Sequence, residues 1–134
     1  MQSKILNNKL SQDLIEKIKS ISSEIFTLNK NEPLFKEGDT TQYIYFIETG
    51  DVALKKAKDK SEIDFLHLST NELIGIDSVY NEGYCNYSAF TSTTTSGVKI
   101  LISDFLVLIT EHKVASLELM KYLSSILNRI ENSI

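Results

Sequence analysis

Disulfide chemistry is closed to this chain, because Cys85 is its one cysteine among 134 residues and a lone thiol has no intramolecular partner. The same scarcity removes iron–sulfur and Cys-rich zinc sites, and a reducing, cytoplasmic setting is expected. Tryptophan is absent and proline occurs once, at Pro33. No apolar run approaches the roughly 20 residues that a membrane-spanning helix needs, and residues 1–9 lack the apolar core of a signal peptide. Of the 14 basic residues, Arg129 is the one arginine, and 18 acidic residues bring the net charge to -4. Nucleic acids are gripped by clustered Lys and Arg, yet the one basic cluster, Lys55, Lys56, Lys58 and Lys60, reads as a solvated hairpin tip. DNA binding by this chain alone is not expected. Between Lys60 and Lys99 there is no Lys or Arg, whereas Glu62, Asp64, Glu72, Asp77 and Glu82 are acidic. A pocket built from that stretch should repel anions. His-x-His spacing is also lacking: His67 precedes Leu68, and His112 falls in a helical region. That leaves no cupin-type metal set and no nucleophile with an identifiable base, so neither a metal nor an enzymatic activity is expected.

What is present suits one globular domain: 42% hydrophobic and 24% charged residues over 134 positions fill a single core of common size. Leu14, Ile15, Ile18 and Ile21 recur at helical spacing behind Ser11, a plausible N-cap residue, which predicts a short amphipathic helix over residues 11–21. From residue 25 to 102 the period shortens to strand-like runs, at 44–47, 52–54, 65–68 and 98–102. Turn-forming clusters separate them at Asn31-Glu32-Pro33, Glu37-Gly38-Asp39, Thr49-Gly50-Asp51 and Asn81-Glu82-Gly83. The hydroxyl run 91–96 reads as an edge or surface strand. After residue 102, Ser103 is placed to cap a helix carrying Phe105, Leu106, Leu108 and Ile109, and a second helix runs from about Val114 onward. In that last helix Leu119, Leu123, Ile126 and Ile130 follow a four-three-four spacing, with Leu117, Met120 and Leu127 beside them. The spacing is that of a coiled-coil seam, which predicts a homodimer; full packing within one chain is the alternative.

The segment Phe35-Lys36-Glu37-Gly38-Asp39, followed by Tyr43-Ile44-Tyr45-Phe46-Ile47-Glu48-Thr49-Gly50-Asp51-Val52, resembles the start of the cyclic nucleotide-binding domain of Crp/Fnr transcription regulators. Leu73-Ile74-Gly75 resembles the beginning of that family's phosphate-binding cassette, and Ser88-Ala89 its end. The resemblance covers nearly the whole chain as one domain: an N-terminal helical segment (1–24), a β-roll (25–102) and C-terminal helices (103–134). It implies a mainly β fold with flanking helices, an antiparallel double-stranded β-helix of jelly-roll type. It also implies an effector pocket in the roll and a long C-terminal dimerisation helix, which in full-length regulators leads into a winged helix-turn-helix. Two settings are open: the effector-sensing half of a regulator, with DNA bound through that further domain, or a stand-alone protein-interaction module without a small-molecule ligand.

The cassette departs from the family pattern where the chemistry lies. A cyclic phosphodiester needs a fixed cation for its phosphate and an acceptor for its ribose hydroxyl. The family's Gly-Glu reads Gly75-Ile76 here, and its Arg-Ser-Ala reads Tyr87-Ser88-Ala89. Cyclic AMP and cyclic GMP are therefore not expected to bind, and no cofactor is expected. The degenerate pocket comprises Gly75, Ile76, Tyr80, Tyr84, Tyr87, Ser88 and Ala89. Its rings, with Phe90, either close the roll or line a site for a neutral, aromatic or peptide-like effector. Cys85 lacks the basic neighbours of a sensor thiol.

Overall fold

The computed structural model describes residues 9–133; the reading of residues 1–8 as lacking a signal core lies outside them. Helix α1 (Gln12–Ser20) opens on the predicted cap, with the Ser11 hydroxyl accepting the Leu14 N–H at 3.2 Å. Leu14, Ile15 and Ile18 are buried, each contributing roughly 1.5–3 kcal/mol of apolar burial. Eight strands follow among the described residues: β1 (Glu24–Leu28), β2 (Pro33–Phe35), β3 (Tyr43–Thr49), β4 (Asp51–Lys58), β5 (Ser61–Ser69), β6 (Leu73–Ile74), β7 (Ser88–Thr91) and β8 (Thr95–Leu101). A short 3-10 helix, Ile76–Asn81, lies between β6 and β7, and α2 (Ile102–Glu111) and α3 (Lys113–Ser133) complete the chain.

The strands form two four-stranded antiparallel sheets, ordered β1-β8-β3-β6 and β2-β7-β4-β5. This is the predicted mainly β roll with flanking helices. Successive strands β3 and β4 belong to different sheets, and the chain turns the corner at Gly50, whose φ is +115°. A Cβ there would lie 2.4 Å from the Thr95 hydroxyl, so glycine is required by both conformation and space. Pro33 opens β2, an edge strand, where a missing N–H is tolerated; it is part of the strand and not only of the turn before it. Strand β3 is buried on both faces. Tyr45 turns into the roll against Phe26 and Phe35, and alternation sends Ile44 and Phe46 to the other side, where Lys19 of α1 lies over the Phe46 ring at 5.9 Å.

Several expectations need correction. The hydroxyl run is not an edge strand: Thr91 ends β7, Thr95 begins β8, and both are buried where the chain turns between the sheets. There the Thr91 hydroxyl accepts the Glu32 N–H at 2.9 Å and donates to the Asn29 carbonyl at 2.5 Å. Ser103 does not cap α2, which begins one residue earlier behind Leu101 and has no side-chain cap; accordingly Ile102 starts a helix and does not end a strand. Of the basic cluster, Lys58 and Lys60 flank the β4–β5 turn, but Lys55 and Lys56 lie within β4.

Helix α3 lies against the roll with Ala115, Leu119, Tyr122 and Ile126 buried. The Tyr122 hydroxyl accepts the buried Leu73 N–H at 2.9 Å. Arg129 bonds the Glu72 carboxylate at 2.7 Å and the His67 carbonyl at 3.3 Å, and Glu118 accepts from both the Ser11 N–H and its hydroxyl. One helix thus ties together the roll and α1.

Candidate functional site: a cassette filled by its own tyrosine

The segment between β6 and β7 is shaped by glycines at its two ends. Gly75 takes φ +88° to end β6 and start the 3-10 helix, and Glu82 and Gly83, at φ +53° and +83°, bring the chain back. A Cβ on Gly83 would fall 2.3 Å from the Thr41 carbonyl oxygen. That closeness reflects tight docking on the β2–β3 loop. The Thr41 N–H bonds the Gly83 carbonyl at 2.8 Å, the Gly38 N–H the Cys85 carbonyl at 2.9 Å, and the Cys85 N–H the Asp39 carbonyl at 2.9 Å.

The predicted pocket residues part company here. Gly75, Ile76, Tyr87, Ser88 and Ala89 are buried, whereas Tyr80 and Tyr84 are 56% and 43% exposed. Tyr80 instead joins Met120, Leu123 and Leu127 along an apolar groove on the outer side of α3, and Phe90 lies beneath Lys55, whose Nζ is 5.3 Å from the ring. Only Tyr87 brings an aromatic ring of the cassette into the roll. Its centroid is 5.8 Å from Phe35 and 6.0 Å from Phe65, extending a chain of rings that runs through Phe35 and Tyr45 to Phe26. Such pairs add about 0.5–1.5 kcal/mol each beyond burial. The phenol donates to the Asp77 carboxylate at 2.6 Å. Burial, and then the neighbouring Asp77 charge, push its pKa well above the ordinary value, so at neutral pH it stays protonated and a donor.

Consequently the cassette's phosphate end presents a phenol and a carboxylate. The Ser88 hydroxyl already accepts the Glu37 N–H at 2.8 Å, and Ile76 sits in the core at 1% exposure. The sequence gap in cations is not complete in space, which local reading missed. Because β4 pairs with β7, Lys56 reaches the Asn86 carbonyl at 2.7 Å and Glu37 at 3.1 Å. Its charge is met by Glu37, whose carboxyl is held below its usual pKa first by the Ala57 N–H and then by Lys56. Cys85 is buried, its thiol pushed up to about 11 chiefly by burial. Among the described residues no cluster of His, Cys, Asp and Glu could hold a metal, and no helix is long and apolar enough to cross a membrane.

The sequence-predicted seam on α3 divides as well. Leu119 and Ile126 are buried in the chain's own core and Leu123 and Ile130 are half-buried, while Leu117, Met120 and Leu127 are 54%, 57% and 42% exposed. Tyr122, absent from the predicted stripe, completes the inward face.

A β-roll of two antiparallel sheets, with a glycine-bounded cassette between β6 and β7 and a long helix packed against the roll, defines a jelly-roll-like class of domain with flanking helices. The sequence pattern of the cyclic nucleotide-binding domain matches residues 25–112, and the chain belongs to that family. No curated protein sequence matches it. Among solved structures it is similar to the catabolite activator protein of Thermus thermophilus: 24% identity, TM-score 0.77, covering 91% of this chain and 57% of that one. The c-di-GMP-responsive global regulator CLP of Xanthomonas campestris is 16% identical with TM-score 0.79, over 92% of this chain and 61% of that one. An EAL enzyme in its cAMP-bound form is 26% identical with TM-score 0.64, over 81% of this chain and 29% of that one. The chain thus spans less than two thirds of each of these proteins.

Proposed function

We propose that this chain is the effector-sensing and dimerisation domain of a Crp/Fnr-type transcription regulator, with a cassette that takes neither cyclic AMP nor cyclic GMP. The observation that carries the second half is Tyr87, buried at the position where the resemblance calls for the phosphate-binding arginine and bonded to Asp77 at 2.6 Å. A phosphate entering there would meet a carboxylate and, among the described residues of the cassette, no Lys or Arg, and burying an unpaired charge costs several kcal/mol. The carboxylate for a ribose hydroxyl is replaced by Ile76. On this reading the domain is not itself an enzyme, an effector is neutral, aromatic or peptide-like, and contact with DNA falls to a segment outside this chain.

Titration calorimetry with each cyclic nucleotide tests the reading. No heat of binding is expected at physiological concentrations; micromolar affinity for either would overturn it. A second reading, a stand-alone module that docks a protein partner, is favoured by the exposed apolar groove of Tyr80, Met120, Leu123 and Leu127.

A further inference from the structure

We propose that Tyr87 is a built-in ligand: its ring and hydroxyl hold the cassette closed on the roll without any small-molecule effector. The inference rests on the reading that the cassette takes no cyclic nucleotide, and it adds what occupies the cassette instead.

The chain from Gly75 to Tyr87 has little regular structure to hold it. Its 3-10 helix covers Ile76–Asn81, and such short helices have poor hydrogen-bond geometry. Internal backbone bonds run from the Ser78 N–H to Gly75, from the Glu82 and Gly83 N–H groups to Ser78, and from the Tyr84 N–H to Asn81. Backbone bonds also tie its far end to the β2–β3 loop, and segments held chiefly by loop contacts open at low free energy unless side chains fasten them to the sheets. Tyr87 does so at both ends. Its hydroxyl binds Asp77, in the first turn of the 3-10 helix, and its ring lies against Phe35 of β2 and Phe65 of β5. One side chain therefore joins the start of the cassette, its end and both edge strands of the second sheet. The hydrogen bond is charge-assisted and half-buried, and a bond to a charged acceptor is stronger than one between neutral groups.

Hydrogen exchange tests the proposal. Tyr87→Phe keeps the ring and deletes the donor. The amides of Ser78 and Gly83 should then exchange roughly ten- to hundredfold faster, the range for a lost hydrogen bond to a charged group. The amide of Ile100, in β8 and remote from the cassette, should change little. Rates at Ser78 and Gly83 within twofold of wild type (a margin of about 0.4 kcal/mol), or equal acceleration at Ile100, would overturn the proposal. Tyr87→Ala supplies a second arm, because a ring-sized apolar cavity accepts small aromatic molecules. Phenol should restore slow exchange at Ser78 and Gly83, and toluene, which lacks the donor, should not. Equal rescue by toluene, or none by phenol in a folded variant, would count against the latch; if Tyr87→Ala fails to fold, Tyr87→Phe decides alone. These measurements contain no nucleotide, so cyclic AMP binding by the wild type would overturn the functional reading without bearing on them.

Discussion

Gly83 and Tyr122 show how single atoms fix the cassette's position. At Gly83 a methyl group meets both a positive φ and the Thr41 carbonyl 2.3 Å away. Gly83→Ala should therefore lower stability by about 1–3 kcal/mol, measured as a lower urea midpoint. Tyr122→Phe leaves the Leu73 N–H buried without its acceptor, and a similar loss of about 1–3 kcal/mol is expected in the same measurement. At this scale the sequence was partly legible. Ile76 and Tyr87 could be placed by counting from Gly75 and Ser88, because the cassette's glycines and small residues mark its ends. The directions of Tyr80, Tyr84 and Phe90 could not, since irregular backbone has no period from which to read a face. Tyr122 was hidden for another reason: its polar tip disguised an inward position that only the Leu73 backbone explains.

Among the elements, the β4–β5 hairpin and α3 meet around His67. Its Nδ1 lies 2.5 Å from Asp51, its Nε2 is 3.4 Å from Asp64, and its carbonyl is held by Arg129. The Asp51 hydrogen bond, ahead of opposing desolvation, raises the imidazole pKa. A raised folded value means that the pair stabilises the protein fully below the ordinary histidine pKa of about 6.5 and ceases to do so as pH rises through the folded value. Because the side chain is 49% exposed, the contribution is small, about 0–1 kcal/mol. Thermal unfolding of wild type and His67→Gln should differ most in mildly acidic buffer and converge in alkaline buffer. The strands β3, β4, β5 and β8 were readable because their apolar runs and the glycines Gly38 and Gly50 mark them locally, whereas the short β1, β2, β6 and β7 have too few residues to show a period. The pairing of the strands was not readable. Lys56 serves the cassette only because β4 lies beside β7, a relation between positions more than thirty residues apart in the chain. The buried hydroxyls of Thr91 and Thr95 likewise satisfy turns that no local pattern announces.

At the scale of the whole molecule, the expected homodimer turns on α3. Its inward stripe is spoken for by the roll, so a homodimer must use the outward residues Leu117, Met120 and Leu127, with half-buried Leu123 between them. Paired Met120→Lys and Leu127→Lys substitutions should give folded monomers, because like charges would then face each other across a two-fold axis. Sedimentation with circular dichroism reads both properties, and a wild type that sediments as a monomer at tens of micromolar would defeat the expectation. Ile126→Lys, by contrast, places a charge at a site only 1% exposed and should unfold the domain. With a net charge of -4, the chain should also fail to retard duplex DNA even at ~50 mM salt, where non-specific binding is strongest.

The buried Cys85 offers a practical use. It is the one thiol in the chain, sits two residues before Tyr87, and bonds through its backbone to Gly38 and Asp39. With its pKa raised to about 11 and its sulfur buried, it should react with a chromogenic disulfide reagent only when the cassette lifts. The rate of colour development in native buffer is therefore an optical clock for that lifting, readable in the wild-type sequence without a label. Any compound that wedges the cassette open would announce itself by quickening that clock.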